Sequence, residues 1–252
     1  MGKQAREESR QLRKGKAAVA AQAGHRSRWP AIAGMVVIVG LLIAIVFTIV
    51  KAAGHDSTAQ PTASGPVVPP SGADGGALVS GKADAPVKLE IYADYMCPYC
   101  GRFERANGAE ITRLVSDGTA RQYLYPLAFL DQMSDGTRYS TRAANAAATV
   151  YDRAPDKLAP FNTALFAHQP AEGSSGLSDA QIADLARQAG VPQAVVETFT
   201  KRIFEPWVTS STQAAFAAGL QGTPTVKING VPFHGDLYTV GPLTDAITAA
   251  AK

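Results

Sequence analysis

Cys97 and Cys100 are the only two cysteines in the 252 residues, and they sit in the stretch Tyr95-Met96-Cys97-Pro98-Tyr99-Cys100-Gly101-Arg102-Phe103-Glu104. On a helix this spacing is one turn, with Cβ atoms about 5–6 Å apart on the same face, so a small adjustment closes a disulfide. The chemistry open to such a pair is thiol–disulfide exchange, in which one sulfur attacks or is attacked and the other resolves the mixed disulfide. A zinc site would need about four ligands, and His168 and His234 are the only histidines in the expected folded part. A permanently closed structural clip would enclose a very short loop and constrain the unfolded chain little.

The flanking residues show how the pair is positioned. Val87-Lys88-Leu89-Glu90-Ile91-Tyr92-Ala93 alternates and is rich in β-branched and aromatic residues, as a buried strand is. Phe103, Ala106, Ile111, Leu114 and Val115 then recur at helical spacing. The cysteines therefore fall where a strand turns into a helix. Pro98 suits the first helical position, because its missing N–H would have no intrahelical partner there. That makes Cys97 the cap, facing the free amides of Tyr99 and Cys100 and the positive end of the helix dipole. The helix start should therefore depress the Cys97 pKa and supply a nucleophile near neutral pH. Cys100, one turn along, would resolve from beneath.

Charge and hydropathy divide the chain. Residues 1–30 hold eight Lys and Arg against Glu7 and Glu8, and Ala31 to Val50 is an uncharged run of 20 residues, about the length that crosses a bilayer core. The positive-inside rule keeps the basic tail cytoplasmic and exports the rest. A cleaved signal peptide is the competing reading, but its apolar region is usually ~7–15 residues, so an uncleaved signal anchor is expected. Residues 51–76 are rich in Ala, Gly, Ser, Thr and Pro and read as a flexible linker. From residue 77 to 252 there are fifteen basic and seventeen acidic residues, which removes the case for a nucleic-acid partner. A thiol pair outside the membrane meets an oxidising compartment.

Along the exported part, 121–127 reads as a second strand closed by Pro126, giving a parallel strand–helix–strand unit. Residues of about 138–220 read as a helical insertion, with Ser178-Asp179-Ala180-Gln181 as a capping box. Strands return at 225–228 and 231–233 around Asn229-Gly230, a hairpin signal because both residues tolerate positive φ. Pro242 opens a last amphipathic helix.

This order, with Cys97-Pro98-Tyr99-Cys100 at the first strand-to-helix turn and Gly222-Thr223-Pro224-Thr225 before the hairpin, resembles the α/β thioredoxin fold with an inserted α-helical domain. More narrowly it is similar to the membrane-anchored, DsbA-like thiol:disulfide oxidoreductases of bacteria, across residues 77–252. The resemblance implies catalytic Cys97 and Cys100, with Pro98 tuning the redox pair. It also implies a cis bond at Pro224 against the disulfide and substrate binding by Thr223 and Pro224, and Tyr99 beside the pair is a further candidate for substrate binding. Asp94, Tyr95, Phe103 and Glu104 also match residues frequent in that family. Two positions depart from it: Pro98-Tyr99 is the dipeptide of glutaredoxins, and the acidic residue six places before the first cysteine is replaced by Ile91, with Glu90 beside it.

The resulting expectation is a monomeric extracytoplasmic thiol oxidase in the cell membrane, single-pass, without metal or cofactor. It would act on unfolded or reduced exported proteins and be reoxidised by a quinone-linked membrane oxidoreductase. The alternatives are a reductase or isomerase of the same fold, and a non-catalytic tethered peptide-binding module. Phe129, Leu130 and Tyr238 could line a peptide groove with Tyr99, whereas Trp207 and Phe216 read as core.

Overall fold

The computed structural model describes residues 66–252; the basic tail, the apolar run 31–50 and most of the linker lie outside the described residues. A five-stranded sheet in the order β1-β3-β2-β4-β5 forms the centre. The strands are β1 (Leu78–Ser80), β2 (Val87–Ala93), β3 (Ala120–Pro126), β4 (Thr225–Ile228) and β5 (Val231–Pro232). β2 pairs parallel with β3, Ile91 opposite Leu124, and antiparallel with β4, Ile91 opposite Val226. Leu89 and Ile91 are buried on this central strand, as the hydrophobic run predicts.

Helix α1 (Pro98–Asp117) crosses from β2 to β3. It buries Phe103, Asn107, Ile111 and Leu114 and ends at Gly118, whose φ of 90° is the left-handed conformation that glycine adopts without a Cβ penalty. Between β3 and β4 lie the helices of the insertion: α2 (Tyr139–Arg153), α3 (Leu158–Ala167), α4 (Asp179–Gln188), the short α5 (Gln193–Val196) and α6 (Glu205–Ala217). The capping box at Ser178 and Gln181 forms with both reciprocal bonds. Ala143, Ala144, Ala147 and Ala148 of α2 are fully buried, and their small side chains let neighbouring helices approach closely. Asn229 and Gly230, with φ of 51° and 82°, turn β4 into β5 as the hairpin signal predicts. Helix α7 (Pro242–Ala250) closes the fold with Leu243 and Ile247 buried.

Two features differ from the sequence reading. The last residues assigned to the linker are docked: the Ser71 N–H donates to Asp152 Oδ1, Tyr151 Oη donates to the Gly72 carbonyl at 2.7 Å, and Trp207 Nε1 donates to the Gly75 carbonyl at 3.0 Å. Backbone carbonyls in this apparently featureless stretch serve as acceptors for buried aromatic residues. The second is β1, which adds to β3 in antiparallel register, Val79 opposite Tyr123, and has too few residues to show alternation. Among the described residues no helix is long and apolar enough to cross a membrane.

Candidate active site

The site starts at the end of β2. Asp94 follows the strand, the chain turns through Tyr95 and Met96, and Cys97 caps α1 with φ −70° and ψ 115°, extended backbone just outside the helix. Pro98 occupies the first turn as its geometry demands. Both cysteines are free thiols; Cys100 is fully buried and Cys97 keeps 5% of its surface. Tyr99 between them is 54% exposed.

The two sulfurs have opposite acidities. The Cys97 pKa is held down to about 6, first by a hydrogen bond from the Cys100 side chain; burial opposes this, while the Thr223 side chain and the amides of Cys100 and Tyr99 add smaller support. Burial, followed by the hydrogen bond and charge of Cys97, pushes the Cys100 thiol well above its ordinary value. This corrects the expected cause. The sulfur makes no cap hydrogen bond of normal geometry to the helix start, and the leading stabiliser is the neighbouring thiol instead.

Thr223 and Pro224 come to the pair from the turn before β4. The Thr223–Pro224 bond is cis, and the Cys97 thiol donates to the Thr223 carbonyl at 3.3 Å. The Thr223 hydroxyl is buried without a hydrogen-bond partner of normal geometry, although it helps stabilise the Cys97 sulfur. Tyr99 stands with its ring 5.9 Å from that of Tyr238, and the Arg102 guanidinium lies 4.6 Å from the Tyr238 centroid. Phe129, 43% exposed, packs on Phe216 at 5.0 Å, and Trp207 is core. His168 Nδ1 is 3.1 Å from the Ala164 carbonyl at the end of α3, and His234 is exposed.

Beneath the pair lies Asp94, fully buried. Its Oδ1 accepts from the Met96 N–H at 2.7 Å and the Ser140 hydroxyl at 2.7 Å, and its Oδ2 from the Leu130 N–H at 2.8 Å. Its own N–H donates to Cys100 Sγ at 3.5 Å. Burial outweighs those donors and pushes its pKa up to about 7. Glu90, on β2, is instead paired with Lys88 at 3.3 Å.

Sequence reasoning missed two partners from the insertion. Ser140, on α2, holds Asp94. Gln169, just past α3, donates from one amide nitrogen to the Tyr95 carbonyl at 3.0 Å and the Cys97 carbonyl at 2.8 Å. Neither has a local signature, because each meets the site only through the tertiary fold.

A parallel–antiparallel sheet, a thiol pair at the start of the first crossover helix and a cis-proline turn against the first sulfur together define a thioredoxin-fold protein with a dithiol site. Residues 73–242 match the family model described as Thioredoxin, and the chain belongs to that family. It is similar to Disulfide bond formation protein D of Bacillus subtilis, 29% identical over 157 residues, 61% of this chain and 68% of the relative. It also shares 35% identity over 120 residues with the serine/threonine-protein kinase PknE of Mycobacterium tuberculosis, 46% of this chain but only 21% of that protein's length. Among solved structures, oxidized DsbA of M. tuberculosis is 28% identical with a TM-score of 0.58, covering 70% of this chain and 100% of that one. The thiol-disulfide oxidoreductase MdbA of Actinomyces oris is 29% identical with a TM-score of 0.59, covering 68% and 84%.

Proposed function

We propose that the chain is a DsbA-like thiol–disulfide oxidoreductase that forms disulfides in exported proteins through Cys97 and Cys100. The observation that carries this is the geometry of the pair: Cys97 caps α1 with 5% of its surface open and its thiol against the Thr223 carbonyl of a cis-proline turn, one helical turn from a fully buried Cys100, an arrangement that lowers the first pKa and raises the second. In the oxidised protein a substrate thiolate attacks Cys97 Sγ. The Cys97–Cys100 bond breaks, a mixed disulfide forms on Cys97, and Cys100 takes up a proton. A second substrate thiolate then attacks the substrate sulfur of the mixed disulfide, and Cys97 departs as thiolate. The substrate loses two electrons, and the thiol pair gains them. A low-pKa sulfur is the better leaving group for that last step.

The Thr223 backbone beside Cys97 offers an edge for an extended substrate, and Tyr99 and Tyr238 flank it. The apolar run 31–50 would anchor the domain outside the membrane with the basic tail inside, near a quinone-linked oxidoreductase that restores the disulfide. Reduction or isomerisation is the second reading. Net reduction needs Cys100 to attack the mixed disulfide as a thiolate, which its burial and raised pKa slow, whereas isomerisation can run on Cys97 alone with a substrate thiol resolving. Incubating a reduced, denatured polypeptide with the oxidised domain decides between them: stoichiometric loss of substrate thiols supports oxidation, and no loss sinks it.

A further inference from the structure

We propose that Gln169 is a positioning residue for Cys97: one amide nitrogen from the insertion clasps the Tyr95 and Cys97 carbonyls, and Gly101 lacks a side chain so that this amide can seat. The proposal rests on the oxidoreductase reading and concerns how the nucleophile is held.

Three donors converge on the Cys97 carbonyl: the Cys100 N–H at 2.9 Å, the Gly101 N–H at 3.2 Å and Gln169 Nε2 at 2.8 Å. Two of them belong to α1 itself and would be present in any helix. The third comes from outside and also takes the Tyr95 carbonyl, so both hydrogens of a single NH₂ group are used on carbonyls either side of Met96. Met96 is fully buried between them. With both carbonyls turned toward Gln169, the backbone of Cys97 is held in the extended cap conformation that presents its sulfur to Cys100 and Thr223.

The seat is specific. A Cβ on residue 101 would lie 2.3 Å from Gln169 Oε1, closer than real contacts come, and tightly at 3.1 Å from its Cδ and 3.3 Å from Arg105 Nη1, so the Gln169 amide would have to leave its seat. Gly101 has no positive φ to explain the absence of a side chain, and glycine in a helix costs about 1 kcal/mol relative to alanine. Space for Gln169 is the reason the structure supplies.

The amide also sets the local field. Its N–H groups offset the negative ends of two carbonyl dipoles close to the nucleophile, and those dipoles would otherwise oppose a thiolate. A carboxylate at the same place would face both carbonyls without a hydrogen to share and would add negative charge.

The test is ionisation of Cys97 in the reduced protein, followed by thiolate absorbance and by iodoacetamide alkylation against pH, in Gln169→Ala, Gln169→Glu, Gly101→Ala and the double variant Gly101→Ala/Gln169→Ala. Circular dichroism establishes that each is folded. The midpoint is expected to rise by roughly half a unit to one unit in Gln169→Ala and further in Gln169→Glu. Gly101→Ala should mimic Gln169→Ala, and the double variant should go no further, because either change empties the same seat. An unchanged midpoint in folded Gln169→Ala overturns the proposal, as does additivity in the double variant. If Gln169→Glu fails to fold, the alanine series decides alone. Wild-type oxidation of substrate is read separately, so failure of the clasp leaves the proposed function standing.

Discussion

The Cys97 thiol donates to the Thr223 carbonyl at 3.3 Å, and the hydroxyl of the same threonine is buried without a partner of normal geometry. One residue thus faces the sulfur with an acceptor and a donor. The protonated sulfur uses the carbonyl, whereas a thiolate has no hydrogen to give it and can accept from the hydroxyl. Thr223→Val keeps the branched shape and removes the donor. Its Cys97 midpoint should lie about half a unit to one unit above the wild-type value, while Thr223→Ser stays near wild type; thiolate absorbance checks both.

The Cys100 thiol is the first cause of the low Cys97 pKa. Cys100→Ala should therefore raise the Cys97 midpoint by more than Thr223→Val does, on the order of one to two units. Cys100→Ser retains a donor and should recover part of the difference. Mass-resolved alkylation of Cys97 across pH measures each variant.

Asp94 makes stability depend on pH in a particular direction. Its pKa is raised from the ordinary carboxylate range to about 7, so the folded state favours the neutral form. The stabilisation is present below the unfolded pKa near 3.9 and is lost as pH rises through 7, on the order of 4 kcal/mol across that window. Urea denaturation should find the domain less stable at pH 8 than at pH 5 by roughly 2–3 kcal/mol. Asp94→Asn should flatten this slope, since it cannot ionise. Glu104 and Asp131 are also raised by burial and keep part of the trend, so the difference between the two proteins carries the reading.

Two glycines with positive φ separate strain from sterics. Gly176, at φ +70°, would place a Cβ 2.5 Å from the Tyr139 ring, and Tyr139 is fully buried; Gly136, at φ +77°, has nothing within 4 Å. Gly136→Ala should cost about 1 kcal/mol from backbone strain alone. Gly176→Ala should cost more than about 3 kcal/mol, since a buried ring must also move. Thermal and urea unfolding compare them directly.

Much of the framework was readable from local pattern. Alternation gave β2, Pro98 marked the start of α1, Asn229-Gly230 gave the hairpin, and Ser178 with Gln181 gave the capping box, because each of these signals lies within a few residues. What escaped depends on distant partners. β1 is three residues long and gains its place from β3, and the carbonyls of Gly72 and Gly75 carry no side-chain signature. The cysteine pair was visible in spacing, but Gln169 and Ser140 reach it from the insertion through the tertiary fold. The low pKa of Cys97 was anticipated with a different leading cause: spacing puts the two cysteines on one helix face but does not show that the Cys100 thiol donates to the Cys97 sulfur more effectively than the helix start does.

Equilibration of the thiol pair with glutathione buffers from pH 4 to 8 probes electrons and protons together. With Cys97 ionising near 6 and Cys100 keeping its proton, reduction takes up two protons below that pH and one above it. The potential should fall by about 59 mV per pH unit on the acid side and about 30 mV per unit above the bend. A pair that does not exchange with glutathione, or one whose slope stays at about 59 mV per unit through pH 8, contradicts the account.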